Sequence, residues 1–137
     1  MYGRIIVAVD LEHVDQAKTL VKRAGTLLDA GGEMRLVHVL EEVPSFIAAQ
    51  LPRDTQERRR AEAMVELKAL TDPAAGLRVV EDVRYGAASG QIMQAAEDSN
   101  ADLIMIASHK PGLGDYFIGS TAARVVRHAT CSVLIQR

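Results

Sequence analysis

Short, continuous, β-branched apolar runs punctuate this chain: Ile5–Val9, Met34–Leu40 and Leu103–Ala107, with Leu77–Val83 and Ser132–Ile135 shorter or more mixed. Runs of this kind, without polar alternation, predict strands of a sheet covered on both faces. Between them the apolar spacing changes to three and four. From Asp15 to Asp29 the positions Ala17, Leu20, Val21, Ala24, Leu27 and Leu28 share one helix face, and Gly31-Gly32 are expected to stop that helix. A second helix is predicted from about Asp54 to Leu70, opening on the capping-box-like Asp54-x-x-Glu57. A third covers Ser89–Ser99 with Ile92, Met93 and Ala96 inward, and a fourth runs from near Ser120 to before Cys131.

Strand and helix therefore alternate throughout. That order predicts an α/β fold in which an open parallel sheet carries helices on both faces. No internal repeat, low-complexity tract or linker divides the chain, and residues 1–137 read as one domain. Two connections are longer than such a fold needs, Glu41–Arg53 and Ser108–Ile118. Both follow the carboxyl ends of predicted strands, where doubly wound sheets bind ligands.

Composition narrows the classes. Sixteen Lys+Arg against 18 Asp+Glu leave a net charge of −2, which supplies no pull toward nucleic acid or an anionic membrane. The longest apolar runs are far short of the ~20 residues a bilayer requires, and the first residues have no signal-peptide anatomy. The one cysteine, Cys131, forms no internal disulfide and points to a reducing, cytoplasmic setting. It reads as a small buried hydrophobe.

The segment Ala107–Thr121 carries the most chemistry. A buried strand ends at Ser108-His109-Lys110, and a loop with Gly112 and Gly114 leads to Gly119-Ser120-Thr121 at a helix start. Glycine permits close backbone approach, first-turn amides favour an anion, hydroxyls add donors, and Lys110 or His109 adds positive charge. The same residues also fit a plain N-cap and an ordinary loop. Asp10 closes the first strand. It is expected to face Ser108 across the crevice between first and fourth strands, either accepting hydrogen bonds from a ribose or base or binding loop amides.

Other constellations carry less. His13, His38, His109 and His128 lack metal-ligand spacing, so no metal site is expected, and His38 reads as a core or crevice residue. Ser108, His109 and Asp115 hold the atoms of a triad, but no nucleophile elbow surrounds the serine. No dinucleotide or Walker fingerprint is present. Arg58-Arg59-Arg60, beside Glu57 and Glu62, reads as a solvated helix face.

Taken together these residues resemble the universal stress protein family. Its hallmark is a Gly-x-x-Gly, a spacer, and Gly-Ser/Thr between the fourth strand and fourth helix. The matching stretch here is Ala107-Ser108-His109-Lys110, eight residues, then Gly119-Ser120. Arg4–Asp10, Val37-His38-Val39, Gly86, Ala101–Ile104 and Ala122–Ile135 are similar to the rest of the family pattern. Both glycines of the first pair are replaced, by Ala107 and Lys110, and the spacer is one residue short, as in a variant branch that includes nucleotide-binding members.

The resemblance implies a Rossmann-like, five-stranded parallel sheet, a homodimer or tetramer, and a regulatory module with little turnover and an unassigned protein partner. It implies adenine-nucleotide binding (ATP, or AMP or ADP, with or without Mg2+). Asp10, with Ala8 and Val9 before it, and the backbone near Val39 would hold adenine. Ala107, Ser108, His109 and Lys110 would meet ribose and phosphate, and Gly119, Ser120 and Thr121 the phosphates. Two alternatives stand beside this one: an interaction protein pairing through Ser132–Ile135 without nucleotide, and a slow ATPase using His109.

Overall fold

The structure, a computed structural model, describes residues 1–108 and 118–137. Its strands are β1 (Tyr2–Ala8), β2 (Leu28–Leu40), β3 (Arg78–Tyr85), β4 (Leu103–Ala107) and β5 (Ser132–Gln136). Its helices are α1 (Val14–Leu27), α2 (Ser45–Ala48), α3 (Thr55–Lys68), α4 (Ala88–Ser99) and α5 (Ser120–His128). All strand pairings are parallel, in the order β3-β2-β1-β4-β5. The chain winds outward from β1 through β2 to β3, then returns to β4 on the other side of β1. The switch point therefore falls between β1 and β4, the pair expected to flank the crevice.

Alternate residues of each central strand feed two cores. Ile5 and Val7 of β1, Met34 and Leu36 of β2, and Leu103 and Met105 of β4 pack with Leu20 and Ala24 of α1 and Leu67 of α3. Ile6, Val37, Ile104 and Ile106 face the other way and pack with Ile92 and Ala95 of α4 and Ala122 and Val125 of α5. Both faces of β1 and β4 are thus covered, which is why Ile5–Ala8 and Leu103–Ala107 are continuously apolar.

The glycine pair after α1 has a role different from the one its position suggests. The helix ends at Leu27, and Leu28 is already extended (φ −79°, ψ 132°). Gly31 and Gly32 instead lie in an irregular stretch of β2, where the register jumps from Tyr2↔Leu28 to Arg4↔Glu33. Gly31 adopts φ +78°, and a Cβ on Gly32 would stand 2.7 Å from the Gly3 carbonyl oxygen. The pair serves a bulge in which two backbones nearly touch. Asp54 likewise precedes α3 without a side-chain cap; its carboxylate pairs with Arg58 at 2.9 Å. The Glu41–Arg53 connection contains the short helix α2, on which Phe46 and Ile47 are exposed.

A band of charge also crosses β2 and β3. Arg78, Glu33, Arg35, Asp82, Arg84 and Asp98 form a ladder of alternating sign, with successive N···O separations of 3.6, 3.6, 3.3, 3.0 and 3.1 Å. Although burial opposes its charge, hydrogen bonds to Asp82 and Asp98 hold the Arg84 guanidinium above its ordinary range.

Just before β4, Asp102 ties that strand to β1. Its two carboxylate oxygens accept the Gly3 and Arg4 amides, each at 2.9 Å. Burial pushes this carboxyl up, but the two amides outweigh it and hold the group below its ordinary value. The stabilisation is therefore fully present above the ordinary aspartate range and is lost as pH falls through the lowered folded-state value. Urea titrations of the wild type and Asp102→Asn at several pH values should show a gap at pH 7 that closes in strong acid. A gap of constant size across that range would mean the carboxylate charge contributes nothing.

Candidate functional site

The carboxyl ends of β1, β2 and β4 open into a groove of about 890 Å3. Its floor comes from Ala8, Val9, Asp10, Val37, His38, Val39, Ile106 and Ala107. Its walls come from the start of α1 (His13 before it, then Gln16 and Ala17), the inward face of α3 (Arg59, Glu62, Ala63, Glu66), and the starts of α4 (Ala88, Ile92) and α5 (Thr121, Ala122). A volume of this size is at the upper end of what a small-molecule or cofactor site needs.

The end of β1 is held by its own backbone and one imidazole. The Val9 amide donates to the Val37 carbonyl at 2.8 Å. The Val9 carbonyl lies 2.9 Å from His38 Nδ1. A carbonyl can only accept, so Nδ1 carries the proton. His38 is thus a crevice residue satisfied by backbone, and it fixes the strand end from which Asp10 projects. Asp10 itself is exposed; its Oδ1 accepts the Glu12 amide at 2.9 Å and its carbonyl accepts the His13 amide at 3.1 Å. Its carboxylate and carbonyl thus turn the chain into α1, and the residue lines the groove. His13 Nε2 is buried and lies 3.8 Å from Asp10 Oδ2, beyond hydrogen-bond distance.

At the opposite wall Gly119 is the N-cap of α5, with Ser120 and Thr121 in its first turn. The Gly119 carbonyl accepts the Ala123 amide at 2.9 Å, so the amides of the first turn have no partner within the helix. The Gly119 amide donates to the Ser108 carbonyl, which joins the start of α5 to the end of β4. Ser108 is buried at 3% exposure, and its amide donates to Gln136 on β5.

Six of the residues picked out by sequence line the groove: Ala8, Val9, Asp10, Val39, Ala107 and Thr121. Ser108, Gly119 and Ser120 stand beside it as its backbone frame, while His109 and Lys110 lie outside the described residues. The arginine triplet does not behave as one solvated face. Arg58 and Arg60 are exposed, but Arg59 is half-buried and faces the groove. Its spacing of four from Ala63 and eight from Leu67, the two buried residues of α3, was the signal that could have found it.

Among the described residues no group of three or more His, Cys, Asp or Glu side chains is placed to hold a metal ion. None of the helices there is long and apolar enough to cross a membrane. Cys131 lines a second cavity of about 290 Å3 between α4 and the end of α5. Burial pushes its thiol up, so at neutral pH it stays protonated.

An open parallel sheet with a groove at its switch point places the chain in the Rossmann-like class of α/β proteins. The model of the universal stress protein family matches residues 1–137, and the chain belongs to that family. It is 30% identical over 145 residues to universal stress protein G of Shigella flexneri, with the whole of both chains covered. Among solved structures, universal stress protein UspA from Lactobacillus plantarum superposes with a TM-score of 0.77 at 20% identity, covering 99% of this chain and 98% of that one. Two others share the fold with a TM-score of 0.63 each: a universal stress protein in complex with cAMP (23% identity, 99% and 97% covered) and the universal stress protein from Archaeoglobus fulgidus in complex with dAMP (18%, 99% and 98%).

Proposed function

We propose that this protein is an ATP-binding regulatory module of the stress response, with little or no turnover. The observation that carries the reading is the groove, which runs from a carboxylate and strand-end backbone at Asp10 and Val39 to the first turn of α5 at Thr121. Asp10 and the Val39 backbone offer hydrogen-bond partners to a base or ribose. Free amides and hydroxyls at Ser120 and Thr121, at the positive end of a helix dipole, suit phosphates. His109 and Lys110 complete the phosphate side in this reading. The cAMP and dAMP complexes of relatives support an adenine nucleotide as the ligand class. A Mg2+ ion enters here as a companion of the triphosphate, with water as its other ligands. The single half-buried cysteine fits work in a reducing, cytoplasmic compartment.

Purified protein should release an adenine nucleotide on denaturation, or titrate saturably with ATP below millimolar concentration. Absence of both sinks the proposal. The absence of an evident general base is the reason to expect phosphate release no faster than background.

A second proposal concerns assembly. Among the described residues β5 is an edge strand paired with β4 alone, and it carries Val133, Leu134 and Ile135. A free, short, apolar edge is a template for a second copy of the chain, giving a homodimer or tetramer that in turn meets a protein partner. Sedimentation at micromolar concentration should show a species at least twice the 14.9 kDa chain mass. A monomer across the whole concentration range would rule the pairing out.

A further inference from the structure

We infer that Arg59 of α3 is a ligand-contacting residue whose guanidinium plane lies against the nucleobase, an inference that rests on the nucleotide reading above. Arg59 occupies the first place of the stripe Arg59, Ala63, Leu67, whose other two members are buried in the core. A residue there is turned toward the sheet, and at Arg59 the sheet has ended and the groove has begun. The side chain is accordingly half-buried and lines the groove, whereas Arg58 and Arg60 on either side are exposed. Arg58 has its own carboxylate, Asp54 at 2.9 Å. Among the described residues Arg59 has none within ion-pair distance, although Glu62 and Glu66 share its wall.

Charge separates the two ends of the groove and decides which part of the ligand Arg59 meets. Glu41, at the end of β2, and Glu62 and Glu66 of α3 line the same end as Arg59. Three carboxylates oppose a polyphosphate there, while the start of α5 attracts one. α3 packs on β2 and β3 from one face of the sheet, and α5 belongs to the core on the other. A nucleotide with its phosphates on α5 therefore extends its base across the strand ends toward β2 and α3. An unpaired guanidinium meeting a neutral aromatic ring stacks on it, using its flat, weakly hydrated face.

The test is titration of the full chain and of Arg59→Gln and Arg59→Lys with ATP, adenosine and inorganic tripolyphosphate. Arg59→Gln should weaken ATP and adenosine by a common factor of about 3- to 30-fold and leave tripolyphosphate unchanged. Arg59→Lys, which keeps the charge and loses the plane, should recover only part of that loss. Wild-type binding of ATP with Arg59→Gln within twofold of it overturns the inference and leaves the nucleotide reading standing. A loss shared by tripolyphosphate but not by adenosine also overturns it, because the contact would then be to phosphate. A wild type that binds neither ATP nor adenosine overturns the nucleotide reading and this inference together.

Discussion

Thr121→Glu should lose ATP binding by at least about tenfold while the protein melts at the same temperature or slightly higher. Thr121 is half-buried in the first turn of α5 and lines the groove. A carboxylate in a first turn interacts favourably with the helix dipole, by about 0.3–1 kcal/mol, so the fold has no reason to weaken. A nucleotide phosphate at the same place would stand a few ångströms from the new charge. Repulsion between unit charges at about 4 Å amounts to roughly 4 kcal/mol near a protein surface and about 1 kcal/mol in bulk water. Opposite signs for stability and affinity are the signature of an anion site on this turn. Thr121→Gln separates size from charge, since it adds similar bulk without repulsion and should cost much less affinity. Isothermal titration beside a thermal melt reads both quantities. If Thr121→Glu bound ATP like the wild type, the phosphates would lie elsewhere.

Leu36→Ala should be the most damaging single truncation for the fold, costing about 2–5 kcal/mol. Leu36 has no exposed surface and sits in β2 between Val7 of β1 and Glu81 of β3. Its side chain belongs to the core shared by α1 and α3, where a cavity would have walls from a sheet and two helices. Such walls collapse poorly, so the lost burial and the void both count. Against a total stability of roughly 5–15 kcal/mol for a domain of ordinary size, that loss is large. Val126 on α5, half exposed, is the control; its truncation to alanine should stay within about 0.5 kcal/mol. Urea denaturation measures both, and a loss at Leu36 no larger than at Val126 would show that this core is not closely packed.

The fold was legible where burial dictates residue type. The runs at Ile5–Val9, Met34–Leu40 and Leu103–Ala107 reported strands because both their faces are dry, and Ala17, Leu20, Val21 and Ala24 reported one helix face for a matching reason. What local pattern could not report was set by distant partners. Gly31-Gly32 resembles a helix stop until the backbone of Gly3 is seen against it. Arg35, Asp82 and Arg84 look like surface charges in sequence, and only the parallel register of β2 and β3 brings them together. At the site, Asp10 and Thr121 drew attention by their places at a strand end and a helix start, and Val39 through the family resemblance; all three line the groove. Arg59 was hidden inside a run of like residues, where a single inward position is masked by its neighbours. Glu12, Glu41, Glu62 and Glu66 also line the groove but carried no signal, since exposed acids occur on any helix or loop.

The ladder of alternating charge has a consequence for how far assembly can go. It loads Arg78, Asp82 and Arg84 onto β3, the strand at the opposite margin of the sheet from β5. Charges on an edge strand discourage another strand from pairing there. The sheet thus has one guarded margin and one open margin. Two copies joined through β5 about a twofold axis would present only guarded margins to solvent. In that proposed pairing, growth by strand addition would end at two, short of a fibre.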